Sequence, residues 1–205
     1  MNAKYKTSLI LIIAAAAFMN SCKQPTEVNA EPDVIIPLKI GNLWVEKITI
    51  YDSLGNTMST MIDTQKVIND TVIGNEKWYS YGTKYILFTN KPDGYYMRYI
   101  NAYDTSYSIT ILWKYPAMVN ESYNVQTGNF VVKSLNDNVT VPAGNFNCLQ
   151  YRFFYGSQPV RPNTGYEQDW FSPGLGPVRT LGNYVTQSGK DYVYYSAELI
   201  SYKLN

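Results

Sequence analysis

The sequence has no histidine and only two cysteines among its 205 residues. Without histidine there is no Ser-His or Cys-His nucleophile system, no His-ligated metal and no imidazole acid–base catalysis. Two cysteines are too few for a thiolate zinc site or an iron–sulfur cluster. Because these absences exclude many common enzyme chemistries, we predict a protein that is not an enzyme and has neither a metal site nor a cofactor.

The sequence also lacks an excess of charge of either sign. Seventeen Lys and Arg residues stand against sixteen Asp and Glu residues, which leaves a formal net charge of +1 at pH 7. The basic residues form no cluster along the chain. This pattern argues against nucleic acid as a partner and against electrostatic attachment to a membrane.

The apolar run near the start is too short to cross a bilayer. Residues 9–18 are apolar and follow Lys4 and Lys6, which is the pattern of a signal peptide rather than of a transmembrane helix. Directly after this run, Ser21-Cys22 resembles the end of the lipobox of bacterial lipoproteins. The two residues before Ser21 depart from the Leu and the Ala or Ser that are usual there.

The resemblance implies that residues 1–21 are a signal peptide and that Cys22 becomes the lipidated first residue, with palmitate among its acyl chains. Two or three acyl chains anchor a protein stably, whereas a single chain binds marginally. In the alternative, an ordinary secretory signal is cleaved nearby and Cys22 stays a free thiol. The residue after Cys22 is Lys23 rather than aspartate. By the sorting rule of some gram-negative bacteria, this favours the outer membrane.

Residues 22–36 carry two prolines, several polar residues and little that could pack. We predict that they form a flexible tether between the lipid and the folded part. The remaining residues, 37–205, are long enough for one domain with a real core, and nothing in the sequence requires two.

Short runs rich in Tyr, Val, Ile, Thr, Phe and Trp alternate with turn residues, and no window shows a sustained helical period. This pattern predicts an all-β antiparallel domain. We expect a single, strongly curved antiparallel sheet, either a half-open barrel or a sandwich-like meander. The predicted strands lie near 43–52, 57–68, 76–81, 84–90, 94–101, 106–114, 122–134, 138–141, 146–155, 165–171, 177–186 and 190–203.

The chain contains twenty tyrosines, and several strands carry apolar or amphipathic side chains on both faces. Two interpretations stay open. In one, the second face is covered by another sheet or by a loop. In the other, it forms a concave groove for an amphipathic ligand, because tyrosine has an apolar body and a polar tip. The candidate ligand-binding residues for such a groove are Tyr166, Trp170, Tyr192, Tyr194 and Tyr202.

Two motifs, V-P-A-G-N-F-N-C at 141–148 and D-W-F-S-P-G-L-G-P-V-R-T at 169–180, lie about twenty residues apart. Together they resemble a pattern of uncharacterised secreted and lipoprotein families of gram-negative bacteria, V-P-A-G-x-F-x-C followed by W/Y-x-x-P-G-x-G-x-V. These families look related in fold to the Lol lipoprotein carriers, which have a half-open, strongly curved sheet. The resemblance therefore implies that curved sheet and implies no catalytic residues.

The first motif also predicts a turn and the state of Cys148. Pro142 belongs at a strand end, since it has no N–H, and Gly144 can take the positive φ of a tight turn. Phe146 can close over that turn. Cys148 has neither a partner for a disulfide nor a neighbouring cation to lower its pKa, so we expect a small buried hydrophobic residue.

Glu167 and Asp169 lie two residues apart on a predicted strand and so share one face. Paired carboxylates of this kind serve glycoside hydrolysis. We interpret them instead as a solvated edge, with Tyr166 and Trp170 on the opposite face. Overall we predict a lipid-anchored cell-envelope protein that binds an amphipathic or lipidic ligand. The alternative is a structural or interaction subunit of an envelope complex.

Overall fold

The computed structural model describes residues 33–156 and 164–205. The predicted signal peptide, Cys22 and most of the predicted tether lie outside the described residues. Within them the chain forms thirteen β-strands, which confirms the all-β prediction. The strands are β1 Leu43–Tyr51, β2 Thr57–Lys66, β3 Asn69–Ile73, β4 Glu76–Ser80, β5 Ile86–Lys91, β6 Gly94–Ile100, β7 Tyr107–Lys114, β8 Ser122–Val125, β9 Gly128–Val141, β10 Gly144–Tyr155, β11 Thr164–Ser172, β12 Gly176–Val185 and β13 Asp191–Lys203.

The strands form two antiparallel sheets where the sequence predicts one. The larger sheet has eight strands in the order β2-β1-β13-β12-β11-β10-β9-β8, and the smaller has five in the order β3-β4-β5-β6-β7. Each sheet contains a run of consecutive hairpins, as the prediction of a meander requires. Neither sheet closes on itself, since β2, β8, β3 and β7 are edge strands.

The chain leaves the larger sheet at Val67, which has no exposed surface. The amide of Val67 donates to the carbonyl of Asn42, and its own carbonyl accepts from the amide of Gly41. These bonds hold Val67 beside the residues that precede β1. The chain after Val67 changes direction and begins the smaller sheet.

The smaller sheet covers one face of the larger sheet, and the core lies between them. Aromatic rings make the contact: Trp44 lies 6.2 Å from Tyr81, and Trp113 lies 4.3 Å from Phe171, measured between ring centroids. No helix among the described residues is long and apolar enough to cross a membrane.

Tyrosine hydroxyls fasten β7 to the larger sheet. The hydroxyl of Tyr123 in β8 donates to the carbonyl of Leu112, and the hydroxyl of Tyr151 in β10 donates to the carbonyl of Lys114, at 2.8 and 2.5 Å. Two tyrosines thus bind the backbone of the edge strand across the inter-sheet space.

Three details of the strand prediction are wrong. Strand β3 is missing from the prediction, and the predicted strand 122–134 is two strands joined at a turn before Gly128. Residues 135–137, which the prediction leaves outside any strand, lie inside β9. There the register with β10 shifts, because the one residue of β10 between Cys148 and Gln150 faces two residues of β9, Leu135 and Asn136. These two residues therefore form a bulge, and the chain does not reverse there.

The folded domain begins earlier than predicted. Ile35 and Ile36, assigned to the tether, are 1% and 4% exposed and belong to the core. The carbonyl of Val34 accepts from the amide of Gly174, and that of Ile36 accepts from the side chain of Asn90. These bonds and the burial make residues 34–36 part of the domain.

The P-G-L-G segment of the second motif is the turn between β11 and β12, and it contacts Trp44. The Trp44 indole Nε1 donates to the carbonyl of Leu175 at 2.6 Å. Gly176 has a φ of +109°, and a Cβ there would lie 2.9 Å from the same nitrogen. Glycine is required here by both the backbone conformation and the indole packed against it.

The first motif forms the turn of the β9–β10 hairpin as predicted. Gly144 has a φ of +140°, and the ring of Phe146 lies against it. The hairpin end reaches β13, where the amide of Ala143 donates to the carbonyl of Leu199. Cys148 is fully buried and is a free thiol, and burial raises its pKa to about 12. The prediction of a small, buried cysteine in the core is confirmed.

Candidate functional site: the cavity between the sheets

A cavity of about 420 Å³ separates part of the smaller sheet from the larger one. We call it the inter-sheet cavity. Its walls come from β6 and β7 on one side and from β8 to β13 on the other. The residues that line it are Met97, Tyr99, Ser108, Thr110, Leu112, Trp113, Val125, Gln126, Thr127, Phe130, Phe153, Glu167, Asp169, Thr180 and Tyr195.

A second space of about 180 Å³, the inner cavity, adjoins it. Trp113, Asp169 and Thr180 line both. The inner cavity is bounded largely by aromatic rings and by two carboxylates. Its lining residues are Ile36, Trp44, Glu46, Gln65, Tyr81, Phe88, Tyr95, Trp113, Asp169, Phe171, Pro177 and Thr180.

Asp169 lies where the two cavities adjoin and is only 7% exposed. Thr180 of β12 donates to its Oδ1 at 2.8 Å, and this is its one side-chain hydrogen bond among the described residues. Burial raises the pKa of Asp169 to about 7, and the neighbouring carboxylates Glu167 and Glu46 contribute to that rise. The interpretation of a solvated edge is therefore wrong for Asp169, because β11 is a central strand and this face is covered by the smaller sheet.

Glu46 is a second buried carboxylate, 5% exposed, on β1. Gln65 of the neighbouring strand donates to its Oε2 at 3.2 Å. Burial, with a smaller contribution from Asp63, raises the pKa of Glu46 to about 7. Two carboxyl groups thus face one small, largely aromatic space, and burial favours the neutral form of each.

Glu167 is the third acid of this region and lines the inter-sheet cavity. Its Oε1 accepts a short hydrogen bond from the hydroxyl of Tyr155. The ring of Tyr195, which lines this cavity, packs directly over Gly182. A Cβ on Gly182 would overlap that ring. The absence of a side chain at Gly182 therefore lets a tyrosine form part of the wall beside Glu167.

The five predicted ligand-binding residues do not come together at this cavity. Tyr166 donates to Asp191, and Trp170 donates to Asp137. Tyr202 packs edge-on against Phe146, while Tyr194 packs edge-on against Tyr195 and so lies beside the cavity. Tyr192 lines a different, more open depression. Whether these five residues bind a ligand stays a prediction.

The depression at Tyr192 measures about 480 Å³ and lies against β12, β13 and the loop between β1 and β2. Its charged residues include Arg179 and Glu198, which form a salt bridge with each other at 2.8 Å. Since two of its three charged side chains already pair with each other and its mouth is wider, we consider the inter-sheet cavity the better candidate site.

Sequence reasoning found Glu167 and Asp169 but missed Glu46 and the aromatic walls. A signal existed for each acid. Glu46 alternates with Trp44 and Ile48 on β1, and Asp169 alternates with Phe171 on β11, so each acid stands on an otherwise apolar face. Across the described residues, no group of three or more Asp, Glu, Cys or His side chains is arranged to hold a metal.

Comparisons with known proteins bear on the fold. A candidate exported protein with a YmcC-like fold from Bacteroides fragilis is similar to the chain, with a TM-score of 0.52, 12% identity, and coverage of 84% of this chain and 100% of the other. A candidate lipoprotein from Parabacteroides distasonis has a TM-score of 0.46 and 17% identity, covering 83% and 99%. The similarity to the Bacteroides fragilis protein shows a shared fold and nothing more. The TM-score of the Parabacteroides distasonis protein is too low to support a conclusion.

No protein-family model matches the chain, and no curated protein matches it at a significant level. The V-P-A-G-x-F-x-C family pattern and the relationship to the Lol carriers therefore stay predictions. What the comparisons add is the two-sheet fold shared with the Bacteroides fragilis protein.

Proposed function

We propose that this protein is a lipid-anchored protein of the bacterial cell envelope that binds an amphipathic ligand between its two sheets. The observation that carries the proposal is the inter-sheet cavity of about 420 Å³. Small-molecule sites are typically concave, mostly apolar and about 300–1,000 Å³ in volume, with a few convergent polar groups. This cavity combines Leu112, Phe130 and Phe153 with the hydroxyls of Ser108 and Thr110 and with two acids.

The anchor is proposed from the sequence, with Cys22 as the lipidated residue and the outer membrane as the site of attachment. A fold shared with a candidate exported protein is in keeping with an envelope location. Metabolic labelling with an alkyne-bearing palmitate analogue tests this. We expect label in the wild type and none in Cys22→Ala, with Cys148→Ala labelled like the wild type. Equal label in wild type and Cys22→Ala would contradict the anchor.

We also propose that binding occurs without catalysis. Glycoside hydrolysis needs two carboxyl groups flanking a bond in a cleft that admits a sugar chain. Asp169 lies in the covered space between the sheets, and Glu167 accepts a hydrogen bond from Tyr155. Release of reducing sugar from envelope glycans by the wild type but not by Asp169→Asn would contradict this.

A second candidate function is that of an interaction subunit, and strand β2 favours it. This strand is an edge of the larger sheet, and every residue in it except Gln65 is exposed. Met58, Met61 and Ile62 are 70%, 53% and 58% exposed. An open edge with apolar side chains can pair with a strand of another protein.

Native mass spectrometry of residues 23–205, exported to the periplasm behind an ordinary secretory signal so that no acyl chain is attached and no detergent is needed, tests the ligand proposal. We expect a bound amphiphile in the wild type and its loss in Thr110→Phe, which fills the cavity with a ring. Thr60→Phe on the exposed strand β2 is the matched control and should keep the adduct. A clean mass for the wild type, with or without a bound protein, would contradict ligand binding and leave the interaction function.

A further inference from the structure

We infer that the ligand is a cation, and that Asp169 and Glu46 bind the ammonium group of an amphipathic amine at the inner cavity. The inference rests on the proposed function and names the chemical class of its ligand. The charges of the lining come first: among the described residues around the two cavities, the charged side chains are Glu46, Glu167 and Asp169, and no Lys or Arg lines either space.

The hydrogen bonding of the two inner acids leaves oxygens available. Thr180 occupies Oδ1 of Asp169, and Gln65 occupies Oε2 of Glu46. The second oxygen of each carboxylate has no hydrogen-bond donor among the described residues. Both side chains are more than nine-tenths buried, so a donor that reaches them must enter through the cavity. A protonated amine has several N–H donors and a charge that compensates the buried acids.

The walls of the inner cavity favour a cation over a neutral donor. The rings of Tyr81, Phe88, Tyr95 and Trp113 follow one another with centroid distances of 5.1, 5.5 and 5.4 Å. Aromatic faces attract ammonium groups, most strongly where water is excluded. Three acids without a basic residue would repel a fatty acid or a phosphate, so the same geometry discriminates against anionic amphiphiles.

The two cavities also fit the two ends of such a molecule. Asp169 and Trp113 line both, which places the acids at the inner end and leaves the wider space for an apolar body. Leu112, Phe130 and Phe153 of the wider cavity would contact that body. The ligand class is therefore an amine with a short apolar chain or ring system.

Isothermal titration calorimetry of the same acyl-free protein, residues 23–205, at pH 8 with octylamine, 1-octanol and octanoate tests this, because the three probes share one chain and differ in the head group. We expect octylamine to bind at least about tenfold more tightly than octanoate, since a buried opposite charge strengthens binding and a like charge weakens it. Asp169→Asn and Glu46→Gln should each weaken octylamine at least about tenfold while leaving 1-octanol unchanged.

Asp104→Asn makes the same chemical change in an exposed loop and should not alter any of the three affinities. If 1-octanol or octanoate binds as tightly as octylamine, or if both inner-cavity variants bind octylamine like the wild type, the ammonium inference is wrong while the ligand site stands. If none of the three probes binds the wild type, the inference and the proposed function both fail.

Discussion

At the scale of single residues, Asp169 is the buried carboxyl group on which the proposed site depends most. It is buried between the sheets beside Glu167 and Glu46, and Thr180 is its one hydrogen-bond donor among the described side chains. An ionised carboxylate in such surroundings is costly because it loses its hydration and faces like charges. The protein is therefore expected to be more stable when Asp169 is neutral.

The pH dependence of stability follows from this residue. The folded pKa of about 7 exceeds the unfolded value of about 4, so the folded state binds the proton more tightly. The stabilisation is complete below pH 4 and is lost as the pH rises toward 7. We expect Asp169→Asn, which still accepts from Thr180, to raise the free energy of unfolding at pH 8 by up to about 4 kcal/mol.

Urea unfolding at pH 5 and pH 8 measures this effect. Asp169→Asn should lose less stability than the wild type between the two pH values, and Glu46 accounts for the dependence that remains. The control Asp104→Asn, at an exposed position, should follow the wild type. A variant that is less stable than the wild type at pH 8, with the same dependence on pH, would show that the buried charge is well compensated.

Gly176 gives a second prediction at the residue scale. Gly176→Ala must place a Cβ at positive φ and 2.9 Å from the Trp44 indole, so we expect a loss of about 3 kcal/mol, of which about 1–2 is backbone strain. Gly189→Ala also has positive φ but meets nothing within 4 Å. It should cost only about 1 kcal/mol in thermal or urea unfolding; equal losses in both variants would argue against the close indole contact.

At the scale of strands, the edge strand β7 depends on side chains from the other sheet. We expect Tyr123→Phe and Tyr151→Phe each to cost about 1–2 kcal/mol, because the carbonyls of Leu112 and Lys114 lose a donor in the interior. Tyr103 is 99% exposed, so Tyr103→Phe is the control. Urea unfolding measures the free energy of unfolding of each variant. If Tyr123→Phe and Tyr151→Phe lose no more stability than Tyr103→Phe, ring packing alone holds β7 against the larger sheet.

The strands themselves could be predicted from the sequence because their signals are local. Pro142 and Gly144 end one strand and begin the next, and the P-G-L-G segment does the same between β11 and β12. The division into two sheets could not be predicted in this way. Strands β2 and β3 are separated by Val67 and Ile68 only, yet they belong to different sheets, because Val67 is bonded to distant residues near Asn42.

The site shows the same limit. Alternation correctly placed Glu167 and Asp169 on one face and Tyr166 and Trp170 on the other. It could not show which face the smaller sheet covers, since that depends on how two separate sheets stack. The acids rather than the tyrosines of the opposite face consequently line the cavity, and the predicted ligand-binding set lies largely elsewhere.

At the scale of the whole molecule, two open sheets face each other without filling the space between them. Rings from both sheets form the core at Trp44 and Trp113, while part of the space between β7 and β11 is left as a cavity. A cavity left unfilled lowers stability, because its lining atoms lose packing contacts. A bound ligand would restore those contacts, which is the physical basis of the proposed function.

The methionines allow the most direct measurement of this claim. The proposed cleavage before Cys22 leaves four methionines in the chain, Met58, Met61, Met97 and Met118. Met97 lines the inter-sheet cavity, whereas the other three are 70%, 53% and 70% exposed, in that order. A spectrum of protein labelled with ¹³C at the methionine methyl groups, recorded during titration with 1-octanol and octylamine, should show the Met97 signal moving and the other three staying in place. A Met97 signal that stays in place while those of Met58 and Met61 move would put the ligand on strand β2 and contradict binding between the sheets.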